Sequence, residues 1–309
     1  VGAPAAAALV LLVSLPRIGG AQAWVPLRGQ GAVSFSFQRI DNAGHRLSDG
    51  FLAPGGSSVN MSGYIELDYA LTDRLSFTAG LPYVFGKYTD TQAPPPPLPF
   101  LPRDQCRCWH SGWQDFGITG RYNLFRTNDG SFSITPSVAT GLPSHDYDYR
   151  GESTLGSNLK EITVALDVGS RLDAVSPNLS VAGRYSYGFV ERVLDIPHNR
   201  SNIAAEGRYA FSRGKLLARG FAIWQRTHGG LRTGTPDSFP GELNTEERIR
   251  EHDRLLRDNY FRAGAGVSYS FPRVDIFASV IWYVSGTDTH AGSAVTVGMS
   301  WPFEWSALR

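Results

Sequence analysis

Two cysteines and a histidine fall within five residues in Cys106-Arg107-Cys108-Trp109-His110. Two thiolates and an imidazole are three of the four ligands that zinc or copper takes. Spacing supplies no fourth ligand. In an exported chain, a local disulfide between Cys106 and Cys108 competes with the metal reading, although so short a separation strains it. The remaining histidines, His45, His145, His198, His228, His252 and His290, lie with His110 in or beside stretches that read as long loops. Imidazoles gathered at one end of a molecule could hold a metal or tune binding with pH. Surface loops also collect polar residues without needing a ligand, and that plainer reading is the stronger.

Acid–base pairs come next. His252 beside Asp253 and His145 beside Asp146 could activate a water at a rim, as a protease or hydrolase would require. Adjacent residues of an extended chain point apart, which weakens both pairs. A hydrolase built on the outer wall of a barrel needs a histidine on a membrane-facing strand, and the sequence places none there. No G-x-S-x-G, nucleotide-binding glycine loop or H-E-x-x-H is present, so no cofactor is expected.

The elements that would position these groups are strands. Val295, Val297, Met299, Trp301 and Phe303 alternate with Ala294, Thr296, Gly298 and Ser300, and the same period of two recurs along the chain. Val33, Phe35 and Phe37 form one such row, then Ile65 to Leu71, Leu75 to Phe85, Phe116 to Leu124 and Phe132 to Leu142. Further rows run from Ile162 to Val168, Leu179 to Phe189, Ile203 to Phe211, Phe261 to Phe271 and Ile276 to Val284. Leu216 to Gln225 is apolar without a clear phase. Runs of about ten residues suit tilted strands that cross a membrane.

Connections alternate in length. Thr72-Asp73-Arg74, Thr127 to Gly130, Asp173 to Asn178, Ser212-Arg213-Gly214 and Pro272-Arg273 are short and rich in turn formers. Residues 41–58, 88–112, 143–157, 190–200 and 228–257 are long, and 286–291 is brief. Tight turns at one end and long loops at the other are expected of an outer-membrane barrel. The expected fold is therefore all-β: a single transmembrane antiparallel β-barrel of about twelve strands, both termini periplasmic. Lipid would be the solvent for one face of every strand, and closure would satisfy the backbone.

A leader precedes it. The apolar run Ala3 to Leu15 and the Ala21-Gln22-Ala23 site read as a cleavable signal peptide over residues 1–23, with the barrel over 24–309. The 29 basic against 28 acidic side chains give no basic field, so nucleic acid is not an expected partner. High aromatic and glycine content with a slightly negative mean hydropathy argues against a bundle of membrane helices.

The segments LDYALTDRLSFTAGLPYVFGKY, WQDFGITGRYNLF, SITPSVATGLPS, WQRTHGG, HDRLLRDNYFRAGAGVSYSF and HAGSAVTVGMSWPF resemble the outer-membrane barrels of Gram-negative bacteria grouped as the MetA-pathway of phenol degradation family. The resemblance covers most of the mature chain, through barrel patterns rather than catalytic signatures. It implies uptake of small aromatic or other hydrophobic compounds. Expected partners are outer-membrane lipid, a small-molecule solute and the barrel-assembly machinery during biogenesis. Glu304 to Arg309 trail beyond Phe303, a departure from the common barrel ending.

Glu66, Asp68, Asp115, Arg121, Glu161, Asp167, Arg184, Glu206, Arg208 and Arg262 fall in the polar phase and are the candidates for a lumen or substrate path. They could orient a polar solute; the stronger reading pairs opposite charges across the interior and partly fills it. A bore of about twelve strands lies between packed eight-stranded and water-filled sixteen-stranded barrels, which points to a narrow, gated conduit. Asn244 to Glu251 has helical spacing and could form a lid, or be a solvated excursion. Ala93 to Leu98, APPPPL, reads as an extended spacer. A structural barrel without transport is the remaining alternative.

Overall fold

Large apolar residues at every second position cannot turn inward in a cylinder that carries charges on its inner wall, so they turn out. In the computed structural model, Val295, Val297, Met299 and Trp301 are exposed on the outer face, whereas Thr296 and Ser300 are buried inside. The structure describes residues 23–53, 57–89, 108–147, 149, 155–233 and 251–305. Residues 1–22, the proline run, Cys106 and, of the segment Asn244 to Glu251 expected to have helical spacing, all but Glu251 lie outside them.

The strands are β1 (Gln30–Arg46), β2 (Ser58–Ala70), β3 (Leu75–Tyr88), β4 (His110–Trp113), β5 (Phe116–Tyr122), β6 (Phe125–Arg126) and β7 (Phe132–Leu142). They continue with β8 (Glu161–Arg171), β9 (Leu179–Val190), β10 (His198–Phe211), β11 (Leu216–Gly229), β12 (Asn259–Ser270), β13 (Asp275–Thr287) and β14 (Thr289–Glu304). One short helix, α1 (His252–Leu255), precedes β12. β4 and β5 both pair with β3, and β5 and β6 both pair with β7, so the three pieces make one broken wall strand. Antiparallel pairing of β1 with β14, from Gln30 opposite Glu304 to Arg46 opposite Thr289, closes a twelve-stranded barrel. Closure removes the free edge and leaves no open ladder at membrane depth. Inside the seam, Ser34 Oγ donates to Ser300 Oγ at 2.8 Å and Gln38 Nε2 to Thr296 Oγ1 at 3.0 Å.

The outer belt is continuous, with Phe35, Ile65, Phe77, Ile118, Val138, Val164, Tyr185, Ile203, Trp224, Val267, Trp282 and Val297 exposed on the twelve wall strands. An apolar surface of this extent is unstable against water and matches hydrocarbon. Aromatic pairs such as Tyr187–Phe189, Tyr209–Phe211 and Tyr269–Phe271, with ring centroids 4.6–4.9 Å apart, lie near strand ends, where interfacial girdles form.

Three sequence readings change. The connection expected over 286–291 shrinks to Asp288 alone, at φ 54°, because β13 and β14 run on almost to meet. β11 shows no phase because both of its faces are apolar: Phe221 and Ile223 point inward, Trp224 outward. The histidines are not a loop set, since His45, His110, His198, His228 and His290 all belong to strands.

Candidate functional site

The lumen is the candidate site, and its chemistry changes with height. At the turn end, β8 and β9 set Asp167 opposite Arg184, which donates to both carboxylate oxygens. Asp167 is 2% exposed, so its carboxylate is shielded from water while the guanidinium keeps part of its surface. Arg121 of β5 donates to Thr78 of β3 and lies 3.6 Å from Asp68 of β2, reaching past the strand between. Glu66 contributes a further negative charge toward the same guanidinium. On the other wall, Glu206 is bonded to Arg208 and lies 3.5 Å from Arg219, which covers the Phe221 ring at 5.1 Å.

Residues preceding β1 enter this end. Ala23 is 1% exposed, and its carbonyl accepts from Ser133 Oγ and Thr135 Oγ1, each at 2.6 Å. Trp24 Nε1 donates to the Gly130 carbonyl at 3.0 Å. The indole lies against Gly169 on the inner face of β8, where a Cβ would come within 2.4 Å of the ring; only glycine leaves room.

At mid-height the inner wall turns apolar. Phe221, Ile281 and Ala294 are buried together, with Ile40 and Ile223 packed on them. In strand order β1, β14, β13 and β11, which carry this patch, lie across the ring from β5, β8 and β9, which carry Arg121, Asp167 and Arg184.

Polar contacts return at the loop end. Glu161 accepts from Thr163 at 2.7 Å and faces Arg200 at 4.0 Å. Asp258, just before β12, is enclosed by Gln225, Thr227 and Thr289, which all bond to it, and Tyr260 Oη donates to Gln225. Burial holds the Asp258 carboxyl above the usual carboxylate range. Arg262 covers the Tyr260 ring at 4.3 Å.

Apolar side chains also gather at the loop end. Leu159, Val190, Val193, Leu231 and Leu255 form a small core with Leu194 and Ile196. Arg254 donates to the carbonyls of Ser157 and Asn158 and covers Tyr149, whose hydroxyl donates to Glu251. Tyr147 donates to Asp115 at 2.5 Å and accepts from the Asn158 amide; burial first, and then the Asp115 charge, drives its phenol far above its ordinary range. Asp288 accepts from Ser48 and Thr233, tying the last hairpin to two loops.

All ten polar-phase candidates thus lie on or beside the inner wall. Asp68 with Arg121, Asp167 with Arg184, and Glu206 with Arg208 come together; Asp115 occupies the break between β4 and β5 and serves the mouth. Arg219, Arg200, Asp258 and Gln225 join the lumen although the sequence reading passed over them. Arg219 lies in the strand without a phase, Arg200 lies where a loop was expected, and Asp258 falls between the expected loop over 228–257 and the row that begins at Phe261.

The histidines do not converge as a group. His45 and His290 meet edge to face inside the barrel at 5.0 Å, whereas His110 and His145 are exposed. His145 Nδ1 bonds Ser144 and Asp146 accepts from Asn158, so this pair is not set to share a water. Nothing is described of the His252 and Asp253 side chains. Cys108 is disulfide-bonded, and the one other cysteine of the sequence, Cys106, lies outside the described residues. Among the described residues, no three potential ligands gather as a metal site. One expectation is overturned: a histidine does stand on the membrane-facing wall. His228 projects outward at the loop end of β11, because its strand extends through residues read as loop.

No family model and no curated protein sequence matches the chain. Among solved structures, the COG4313 outer membrane channel from Pseudomonas putida F1 is similar with a TM-score of 0.69 at 11% identity, over 93% of this chain and 100% of that one. The chain is an outer-membrane β-barrel. The KdgM porin, solved with disordered oligogalacturonate, has a TM-score of 0.49 at 9% identity, over 88% of this chain and 99% of that one. The NanC porin has 0.48 at 7%, over 88% and 98%.

Proposed function

We propose that the barrel is a channel for small hydrophobic or aromatic compounds, with a narrow lumen gated by its loops. One observation carries the reading: an apolar patch of Phe221, Ile223, Ile281, Ala294 and Ile40 lines the lumen, on strands opposite in ring order to those of Arg121, Asp167 and Arg184 and with Arg219 over the Phe221 ring. A passage that carries an apolar patch beside charged side chains suits a flat apolar body with one polar group, such as phenol or benzoate. The paired charges narrow the bore and leave no single-sign field for general ion flow. The resemblance to the MetA-pathway barrels and the fold shared with an outer membrane channel support the same reading. Removal of residues 1–23 as a leader, which takes the Ala23 carbonyl from Ser133 and Thr135 and leaves Trp24 against Gly169, lipid around the belt and handling by the barrel-assembly machinery belong to it.

The test is planar-bilayer conductance of the refolded barrel with and without benzoate, beside growth of a deletion strain on benzoate as sole carbon source. Discrete currents altered by benzoate and slowed growth are expected. Silence in the bilayer together with unimpaired growth would assign the chain to a structural barrel.

A further inference from the structure

A second constellation lies outside the lumen. Ser201 of β10 projects from the lipid-facing side, in phase with Ile203 and Tyr209, and His228 of β11 does so in phase with Trp224. The register sets Ser201 opposite Arg226 and Asn199 opposite His228, so the histidine is the diagonal neighbour of the serine. Ser201 Oγ stands 2.7 Å from His228 Nε2. On the other flank β9 sets Tyr187 opposite Ser201, and the tyrosine ring stacks on His228 with centroids 5.7 Å apart and planes 26° from parallel. The Tyr185 hydroxyl lies 3.4 Å from the same Oγ. His228 and Arg226 are exposed, and Ser201 is 7% exposed.

We propose that Ser201 and His228 form a nucleophile–base pair that hydrolyses acyl esters presented at the membrane interface. A hydroxyl within hydrogen-bond reach of an imidazole is the arrangement that activates a serine. The Tyr187 stack fixes the plane of the ring and keeps Nε2 toward Oγ. Arg226 projects from the same face as Ser201, beside the point where a tetrahedral oxyanion would develop and where a phospholipid phosphate would sit. The pair lies at the loop end of strands that cross lipid, the level at which acyl chains meet their headgroups. Substrate must displace the Tyr187 ring to reach Oγ. The Ser201–His228 contact is direct and does not pass through that ring, which also packs edge to face on Phe189 at 4.9 Å.

The reaction balances with water as the only co-reactant. Ser201 Oγ bonds to the ester carbonyl carbon while His228 Nε2 takes the hydroxyl proton. The bond from that carbon to the alcohol oxygen then breaks, and the departing oxygen takes the proton from His228. Water attacks the acyl carbon, gives a proton to His228, and the acyl–Oγ bond breaks as Oγ recovers the proton. The products are a fatty acid and an alcohol.

The test uses the full-length barrel in phosphatidylcholine vesicles and, separately, treated with an alkyl fluorophosphonate. Fatty-acid release above protein-free vesicles and a single adduct on the Ser201 peptide are expected. Ser201→Ala should abolish both, and His228→Asn should lower release at least about 100-fold. Heat-modifiable gel mobility checks that each variant folds. Unchanged conductance separates this site from the channel reading, on which it does not depend. Absence of release, release that persists in Ser201→Ala, or an adduct elsewhere overturns the proposal.

Discussion

Arg184 Nη1 donates to both carboxylate oxygens of Asp167, at 3.2 and 2.9 Å, across the register of β8 and β9. The aspartate is almost wholly buried and the arginine side chain is about a fifth exposed, at 21%. Removing the cation leaves a charge without its partner in a poorly hydrated lumen. Arg184→Ala should therefore cost about 3 kcal/mol, near the low end for a broken buried pair. Urea unfolding of the vesicle-inserted barrel checks it. The double replacement Asp167→Leu with Arg184→Leu should recover most of the loss, because it leaves no unpaired charge.

The belt makes a second prediction. Val297 is 46% exposed and lies midway along β14, whereas Val175 is 76% exposed in the turn after β8. Val297→Lys should cost about 2–4 kcal/mol and Val175→Lys about 0–1 kcal/mol, because the cost of a charge on the lipid face depends on depth. Reversible folding into lipid vesicles measures both. Equal costs would place the belt outside hydrocarbon.

Leu255 is fully buried in the small core at the loop end. Leu255→Ala should remove about 2–5 kcal/mol of packing, felt by the loops rather than by the wall. Limited proteolysis should then cut within 155–160, 190–197 or 230–233, while the remaining barrel keeps its heat-modifiable mobility. Protection unchanged from the parent would show that the loops do not depend on this packing.

In the turn between β6 and β7, the Asp129 carboxylate accepts from the Ser131 amide at 3.0 Å and from its hydroxyl at 2.8 Å, with Arg171 4.0 Å away. The Thr127 hydroxyl first, and then the two Ser131 groups, hold its pKa down to about 2. An unfolded aspartate titrates near ~3.9. The folded value is the lower one, so this carboxylate stabilises the turn above about pH 4 and the contribution fades as pH falls toward 2. Carboxyl-carbon NMR of the micelle-bound barrel should show Asp129 titrating near 2, and Asp129→Asn should remove the acid dependence of the turn.

Most walls were legible before any coordinates, because one face of each strand meets lipid. Where that condition lapses, so does the pattern. β11 carries Phe221 and Ile223 inward to the apolar patch and Trp224 outward to the belt, so no period of two survives. Strand ends were equally hidden. His228 and Arg200 look like loop residues until the register sets Asn199 opposite His228 and Arg200 opposite Thr227. Pairing of backbone groups, rather than the hydrophobicity of the residue, carries those strands outward.

Alternation of bulky apolar with small or polar residues, and of tight turns with long loops, pointed by itself to a membrane-crossing barrel and to ten of its inward charges, though not to Arg200, Arg219 or Asp258. Both follow from neighbours in sequence, since successive strand side chains point to opposite faces. Tertiary structure alone decided which charges pair, that Trp24 lies against Gly169, that Phe221, Ile281 and Ala294 gather into one patch, and that Ser201 meets His228. Those relationships depend on register and closure, which join residues distant in sequence through bonds between generic backbone groups, and no local pattern encodes such a distance.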